Sequence, residues 1–218
     1  MIDLHSHSLI SDGVLLPSEL IRRAEVVGYR VLAITDHADA SNLAQAIQAA
    51  RRACADANAH WNIRTLPGVE LTHVPTECIA RLTQEARALG ARVVLVHGET
   101  LVEPVPPGTN RAAIDAEVDI LAHPGLISEE EVCRARDRGV CLEITTKSGH
   151  SLANGHVASL ARRCSAKLVL NTDSHQPGDL TPEPRAARIA LGAGLSASEV
   201  EEVFRNSSEL AERVMSFS

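Results

Sequence analysis

At 218 residues the chain is long enough for one well-filled core and short for two, so a single domain over residues 1–218 is expected. With 21 basic against 28 acidic side chains and no basic run to track a phosphate backbone, nucleic acid is disfavoured as an obligate partner, whereas a small phosphorylated molecule is not. The five scattered cysteines (Cys54, Cys78, Cys133, Cys141, Cys164) form no CxxC pair, no apolar run reaches membrane-spanning length, and Ile2 enters a strand without a charged leader; a cytoplasmic protein with unpaired, buried cysteines is the expectation.

In chain order the sequence alternates apolar strand patterns with helical ones, and each strand pattern closes on a residue able to hold a metal. The first, IDLHSH, ends at His5 and His7, runs into Ser11-Asp12-Gly13, and precedes a helix predicted over 17–27. VLAITDH closes on Asp36 and His37 before a helix at 39–58, and TLPGVE closes on Glu70 before one at 75–89. VVLVH ends at His97 and opens an irregular segment, 97–110, whose three prolines forbid a regular helix and which should lie over any site the strand ends build. After a helix at 110–117, VDILAH ends at His123; the capping box of Ser128 and Glu131 starts a helix at 128–138, and VCLEI leads to Glu143. A helix at 152–164, the strand LVLNTDSH with Asp173 and His175, and a helix at 184–193 follow. A terminal helical pair begins at a second capping box, Ser196 and Glu199, and resumes at about 207–215. Gly28, Gly90 and Gly139 stand where a left-handed C-cap turns the chain from helix to strand.

Strands as continuously apolar as VVLVH and LVLN are buried on both faces, and their alternation with helices argues for parallel βα units. Seven such units fit a closed or nearly closed α/β barrel, somewhat smaller than the eight-stranded form, with the ligand-bearing strand ends forming one rim. On a strand the i, i+2 spacing puts His5 and His7 on the same face, and Asp173 and His175 repeat that geometry on the last strand, a neighbour of the first in a closed barrel.

The stretches DLHSHSLISDG, ITDH (34–37), PGVE ending at Glu70, the strand-end His97, AHPG at His123 and TDSH (172–175) resemble, in order, the motifs of the PHP family, named for polymerase and histidinol phosphatase. The resemblance implies a distorted seven-stranded (β/α)7 barrel with two or three divalent metal ions. His5, His7, Glu70 and Asp173 match ligands of a first ion, and Glu70 bridges to a second held by His97 and His123. His37 and His175 match ligands of a third, with Asp12 where the family uses His or Asp. Imidazoles and carboxylates without thiolate suit zinc, manganese or iron. Such ions lower the pKa of bound water toward about 7, which would provide hydroxide as the nucleophile.

Other polar residues near the strand ends are open to two readings. Asp36 is expected to fix the tautomer of an imidazole rather than to bind metal. Glu143 orients a ligand or substrate, or else partners a helix in the core; His73 is a rim residue, and His60, beside Trp61, is structural. Lys147, one of two lysines in the chain, follows a strand end and could grip a phosphate with help from His150, Asn154 or His156. Arg111, Arg185 and Arg188 are further cations that fit exposed helix charges better. The expected activity is hydrolysis of a small phosphate monoester, with His175 or His150 protonating the leaving group. A phosphodiesterase or nuclease acting on short nucleotides is the alternative, and a non-catalytic metal-binding module a more distant one. Histidinol phosphate is a family substrate, but the loops after His97 and Glu143 match no particular specificity.

Overall fold

The structure, a computed structural model, describes residues 1–216. Every strand pairing in it is parallel. The strands are β1 (Ile2–Asp3), β2 (Val31–Ile34), β3 (His37–Ala38), β4 (Arg64–Leu71), β5 (Val93–His97), β6 (Ile120–Ala122), β7 (Cys141–Thr145) and β8 (Leu168–Asn171). β2 and β3 both pair with β4 and flank Thr35 and Asp36, so they fill one position, and the order β1-β2-β4-β5-β6-β7-β8 gives the expected seven. The last strand returns to the first through a parallel bridge, Ser6 to Ser174, with Asp173 N donating to His5 O at 3.0 Å and His7 N to Ser174 O at 2.8 Å. The result is a nearly closed α/β barrel.

Its interior divides along the strand axis. Leu66, Val93, Leu95, Ile120, Cys141 and Val169 form one apolar cluster with Leu210, Ala211 and Val214 of the last helix, which packs against β1 and β8. Two residues beyond the inward-facing Leu95 and Cys141, the same period-two rows arrive at His97 and Glu143. The lower barrel is therefore filled with aliphatic side chains and the upper end with ionisable ones. A second, larger cluster, including Leu32, Ile47, Val94, Leu121 and Ile144, cements the strands to the surrounding helices.

The helices are α1 (Pro17–Val27), α2 (Leu43–His60), α3 (Ile79–Ala88), α4 (Thr109–Asp115), α5 (Glu129–Arg138), α6 (Asn154–Cys164), α7 (Glu183–Gly192) and α8 (Ala197–Ser216), with short 3-10 turns before α3 and α6. The capping box is present, Ser128 Oγ accepting from Glu131 N and Glu131 Oε2 from Ser128 N. Gly28 and Gly139 cap α1 and α5 at φ of 97° and 70°, backbone that a side chain would strain.

Three expectations are corrected. α2 starts at Leu43 rather than near Asp39, because the Asp39 carboxylate accepts from Ser41 N at 2.7 Å and holds a turn there. The terminal pair is one continuous helix: Ser207 Oγ donates to Val203 O one turn back in α8 and Asn206 Nδ2 to Leu168 O of β8, so the polar residues that signal a break find acceptors without interrupting the helix. The cysteines are not all unpaired, since Cys133 of α5 and Cys164 of α6 form a disulfide with Cα atoms 5.1 Å apart. Their separation of 31 residues hides the fact that the two helices pack side by side. Among the described residues no helix is long and apolar enough to cross a membrane.

Candidate metal centre

The C-terminal ends of the strands bring the motif residues to one place. His5 and His7 leave β1, His37 opens β3, Glu70 lies near the end of β4, His97 closes β5, His123 directly follows β6, and Asp173 lies two residues past β8. His5, His7, Glu70, His97, His123 and Asp173 are all buried. His123 and Asp173 adopt φ of 26° and 51°, left-handed backbone that costs a residue with a Cβ about 1–3 kcal/mol and aims both side chains into the barrel mouth.

Glu70 is the hub. Its Oε2 stands 3.3 Å from His5 Nε2, 3.6 Å from His7 Nε2 and 2.8 Å from His37 Nδ1, while its Oε1 faces the other way, 3.6 Å from His123 Nε2. Asp173 repeats the pattern, Oδ1 lying 3.2 Å from His7 Nε2 and Oδ2 3.7 Å from His123 Nε2. Against its burial, His5 and His37 hold Glu70 well below the usual carboxylate range. Burial lifts Asp173 to about 7, with His5 pulling it back. Burial disfavours charge on His5, yet Glu143, Glu70 and Asp173 keep its pKa well above the ordinary imidazole value. Burial, aided by the charges of His37 and His97 respectively, pushes His7 and His123 well below it.

The fit to metal rests on atoms that find no partner. His5 Nε2, both ring nitrogens of His7 and His123, and both oxygens of Glu70 are buried without a hydrogen bond from the rest of the protein. Each such group costs about 1–3 kcal/mol in desolvation, so a cluster of them aimed at common points is what a cation-binding cage looks like. Donor atoms within 4.8 Å of one another fall into four groups: His5, His7 and Glu70; His5, His123 and Asp173; His97, His123 and His150; and His7, Asp12, His37 and His175. The groups overlap at His5, His7 and His123, so the donors form one continuous cluster, and imidazoles with carboxylates suit a divalent metal ion.

The supporting residues sort themselves by contact. Glu143 Oε1 accepts from His5 Nδ1 at 2.9 Å and from Asn171 Nδ2 at 2.8 Å, and its Oε2 from His123 N at 3.1 Å, so it fixes His5 with Nε2 free for an ion. Glu143→Gln is expected to weaken metal binding about 10- to 100-fold with the fold intact, read by zinc titration alongside a melting curve. Among the described residues Asp36 makes no hydrogen bond or ion pair with an imidazole. It accepts from Ser8 N, Ser8 Oγ, Ser11 N and Ser11 Oγ, and thereby anchors the loop that presents Asp12. Lys147 Nζ is already engaged, 3.1 Å from Asp179 Oδ2 and 2.8 Å from His175 Nδ1. His150 stacks on His123 with ring centroids 4.1 Å apart and meets Thr100 Oγ1 through Nδ1 at 2.7 Å.

Several candidates lie elsewhere. Asn154 pins the end of β7 by bonding both polar groups of the Thr145 backbone, and His156 donates to Ile127 O at 2.7 Å. Arg111 pairs with Glu130 at 2.9 Å on the surface, Arg185 and Arg188 are exposed on α7, and His60 ends α2 exposed. The residue that sequence reading missed is Glu103. It belongs to the proline-rich segment, which does cover the mouth, and its carboxylate lies 3.2 Å from both His73 Nε2 and His97 Nε2 and 3.4 Å from His150 Nε2. The available signal was a pair of carboxylates, Glu99 and Glu103, in the loop expected to lie over the site; Glu99 instead accepts from Gly108 N and Asn110 N. The hydrogen bond from His97 leads the pull that takes Glu103 down to about 2. The mouth itself is a cavity of about 430 Å³ lined by His37, His73, Glu103, Lys147, His150 and His175, among others.

Comparison with known proteins agrees with this architecture. Residues 3–147 match the PHP domain. An uncharacterized protein of Methanocaldococcus jannaschii is 45% identical over 201 residues, covering 91% of this chain and 92% of the relative. The DNA polymerase/3'-5' exonuclease PolX of Bacillus subtilis is 27% identical over 193 residues, 79% of this chain and 34% of that protein. A 3',5'-nucleoside bisphosphate phosphatase of Chromobacterium violaceum is 51% identical over 51 residues, 23% of this chain and 18% of its own length. This chain thus spans about a third or less of the latter two. It belongs to the PHP domain family, a class of metal-dependent phosphoesterases.

Proposed function

We propose that the protein hydrolyses a small-molecule phosphate monoester with two or three zinc, manganese or iron ions, and that the whole chain is one catalytic unit. The supporting observation is Glu70, whose two oxygens face separate sets of imidazoles as a bridge between two ions requires. The family match ends at Lys147, yet Asp173 and His175 complete the centre from β8, which argues for a unit that continues past it. When bound, the ions activate water and offset charge on the phosphoryl oxygens.

The chain's own groups position and protonate the ester. Lys147, held at the rim by Asp179, offers an ammonium to the phosphoryl group. His175 and His150 are the candidates to protonate the leaving alkoxide. His150 stands outside the ligand set implied by the family motifs; burial and the charge of His97 push it down to about 4, so it would hydrogen-bond the leaving oxygen as a neutral imidazole, which favours His175 as the proton donor. Incubating the metal-loaded protein with a broad panel of monoesters should release phosphate, and silence across the panel with confirmed metal content would refute the reading.

A second reading, cleavage of short nucleotides, draws support from the PolX relative. The net charge of −7 and the 2% aromatic content count against a long strand. Cleavage of a dinucleotide with no action on monoesters would favour it.

Metal uptake should release protons. In the metal-free chain Glu143, Glu70 and Asp173 favour the protonated form of His5 against its burial, and burial lifts Asp173 to about 7. An ion needs both deprotonated, so affinity rises with pH, about tenfold per unit for each proton displaced. Zinc titrations in two buffers of different ionisation enthalpy will show this release; identical heats in both would contradict it.

A further inference from the structure

At the other end of the barrel, sharing no residue with the metal centre, lies a cavity of about 1060 Å³. Its charged lining is five guanidinium groups, Arg51, Arg87, Arg92, Arg138 and Arg213, against two carboxylates, Glu117 and Asp119. That local excess of three positive charges sits in a chain of net −7, so the remainder of the protein carries −10.

Four of the five guanidiniums are tethered by hydrogen bonds at an open face, where Arg87, Arg138 and Arg213 remain 40%, 41% and 45% exposed. Asp119, 6% exposed, accepts from Val94 N at 2.9 Å and Arg87 Nη1 at 3.0 Å through Oδ2, and stands 3.4 Å from Arg213 Nη2 through Oδ1. Arg87 Nη2 also donates to Glu117 O, Arg138 Nη1 to Glu117 Oε1 at 2.7 Å, and Arg51 Nη1 to Leu89 O at 3.2 Å. Arg92 makes no side-chain hydrogen bond or ion pair among the described residues. Each guanidinium has five N–H donors in a planar fork that matches phosphate oxygens, and these bonds leave most of them unused.

We propose that this cavity is a binding site for a small molecule bearing a diphosphate or triphosphate group. Its volume is at the upper end of small-ligand sites, and the four tethered guanidiniums lower the ordering cost of binding a polyanion. A long nucleic acid is disfavoured, because beyond the cavity the rest of the chain has a net negative charge, the same sign as its phosphates. The site is independent of the proposed phosphoesterase activity and stands or falls separately.

The test is calorimetric titration of the full chain in excess EDTA, which takes the metal centre out of play, with adenosine triphosphate, pyrophosphate and inorganic phosphate as probes. The triphosphate or pyrophosphate is expected to bind at least tenfold more tightly than phosphate, and the first two together distinguish a nucleotide from an inorganic source. The double variant R51E/R92E should weaken that binding at least tenfold with unchanged melting temperature and unchanged phosphate release, since neither side chain neutralises a carboxylate. Should the double variant fail to fold, Arg92→Gln alone should still weaken binding measurably. Equal affinity in the folded variants, loss of all binding in EDTA, or tighter binding of a single-stranded oligonucleotide than of the triphosphate would each overturn the proposal.

Discussion

Replacing Glu70 with alanine is expected to remove phosphate release by about a thousandfold or more, roughly 4 kcal/mol of barrier, and to lower the bound metal by at least one ion per chain. The expectation follows from geometry. Glu70 is the one buried carboxylate whose oxygens stand near His5, His7 and His37 on one side and His123 on the other. Without it those imidazoles keep their burial but lose the negative charge between them, and two ions placed there would repel one another with nothing shared. Metal analysis and a phosphate assay on the same preparation check both halves. Arg111→Ala, on the surface and away from the cavity, should stay within twofold of the parent. A Glu70→Ala protein with full metal content and near-parental turnover would remove Glu70 from its place as the bridge.

The largest structural effect is expected at Gly125. A Cβ there would lie 1.8 Å from Glu99 O, and the backbone sits at φ of 60°. Neither neighbour can give way easily, since Asn110 ties the two loops together, accepting from Glu99 N at 3.0 Å and donating to Pro124 O at 2.9 Å. Gly125→Ala should cost about 3 kcal/mol or more, which for a chain of this size lowers the melting temperature by about 6–12 °C. It should also disturb metal binding, because the loops it forces apart begin just after His97 and His123. Gly178→Ala, which meets nothing within 4 Å and has no positive φ, should change stability by less than about 0.5 kcal/mol. Differential scanning calorimetry of both variants decides the matter.

Much of the barrel was legible because parallel strands buried on both faces leave an unmistakable apolar run, and because a ligand at each strand end is a local feature. VVLVH gave both the strand and His97. Where sequence reading failed, the missing information was three-dimensional. The pairing of Lys147 with Asp179, 32 residues later, had no sign in the sequence. Asp36 beside His37 looked like a partner for imidazole, but its serine contacts come from a loop 25 and 28 residues earlier. Cys133 and Cys164 belong to separate helices, and Asn206 and Ser207 read as a break until their acceptors were known. Glu103 sits in a segment with no periodicity, so only the fold of that loop could bring it to three imidazoles.

The seam of the barrel has a consequence for how the protein would come apart. His5, His7 and Asp173 close β8 onto β1 with their backbones and offer their side chains to the same centre. Glu143 adds a third tie by joining His5, Asn171 and the amide of His123. An ion held there is therefore also a clasp between the first strand and the last, and the chain cannot unzip along that line without surrendering it. Loading the centre should slow amide exchange at His7 and Asp173, the two donors of the seam, before it slows exchange anywhere else in the sheet.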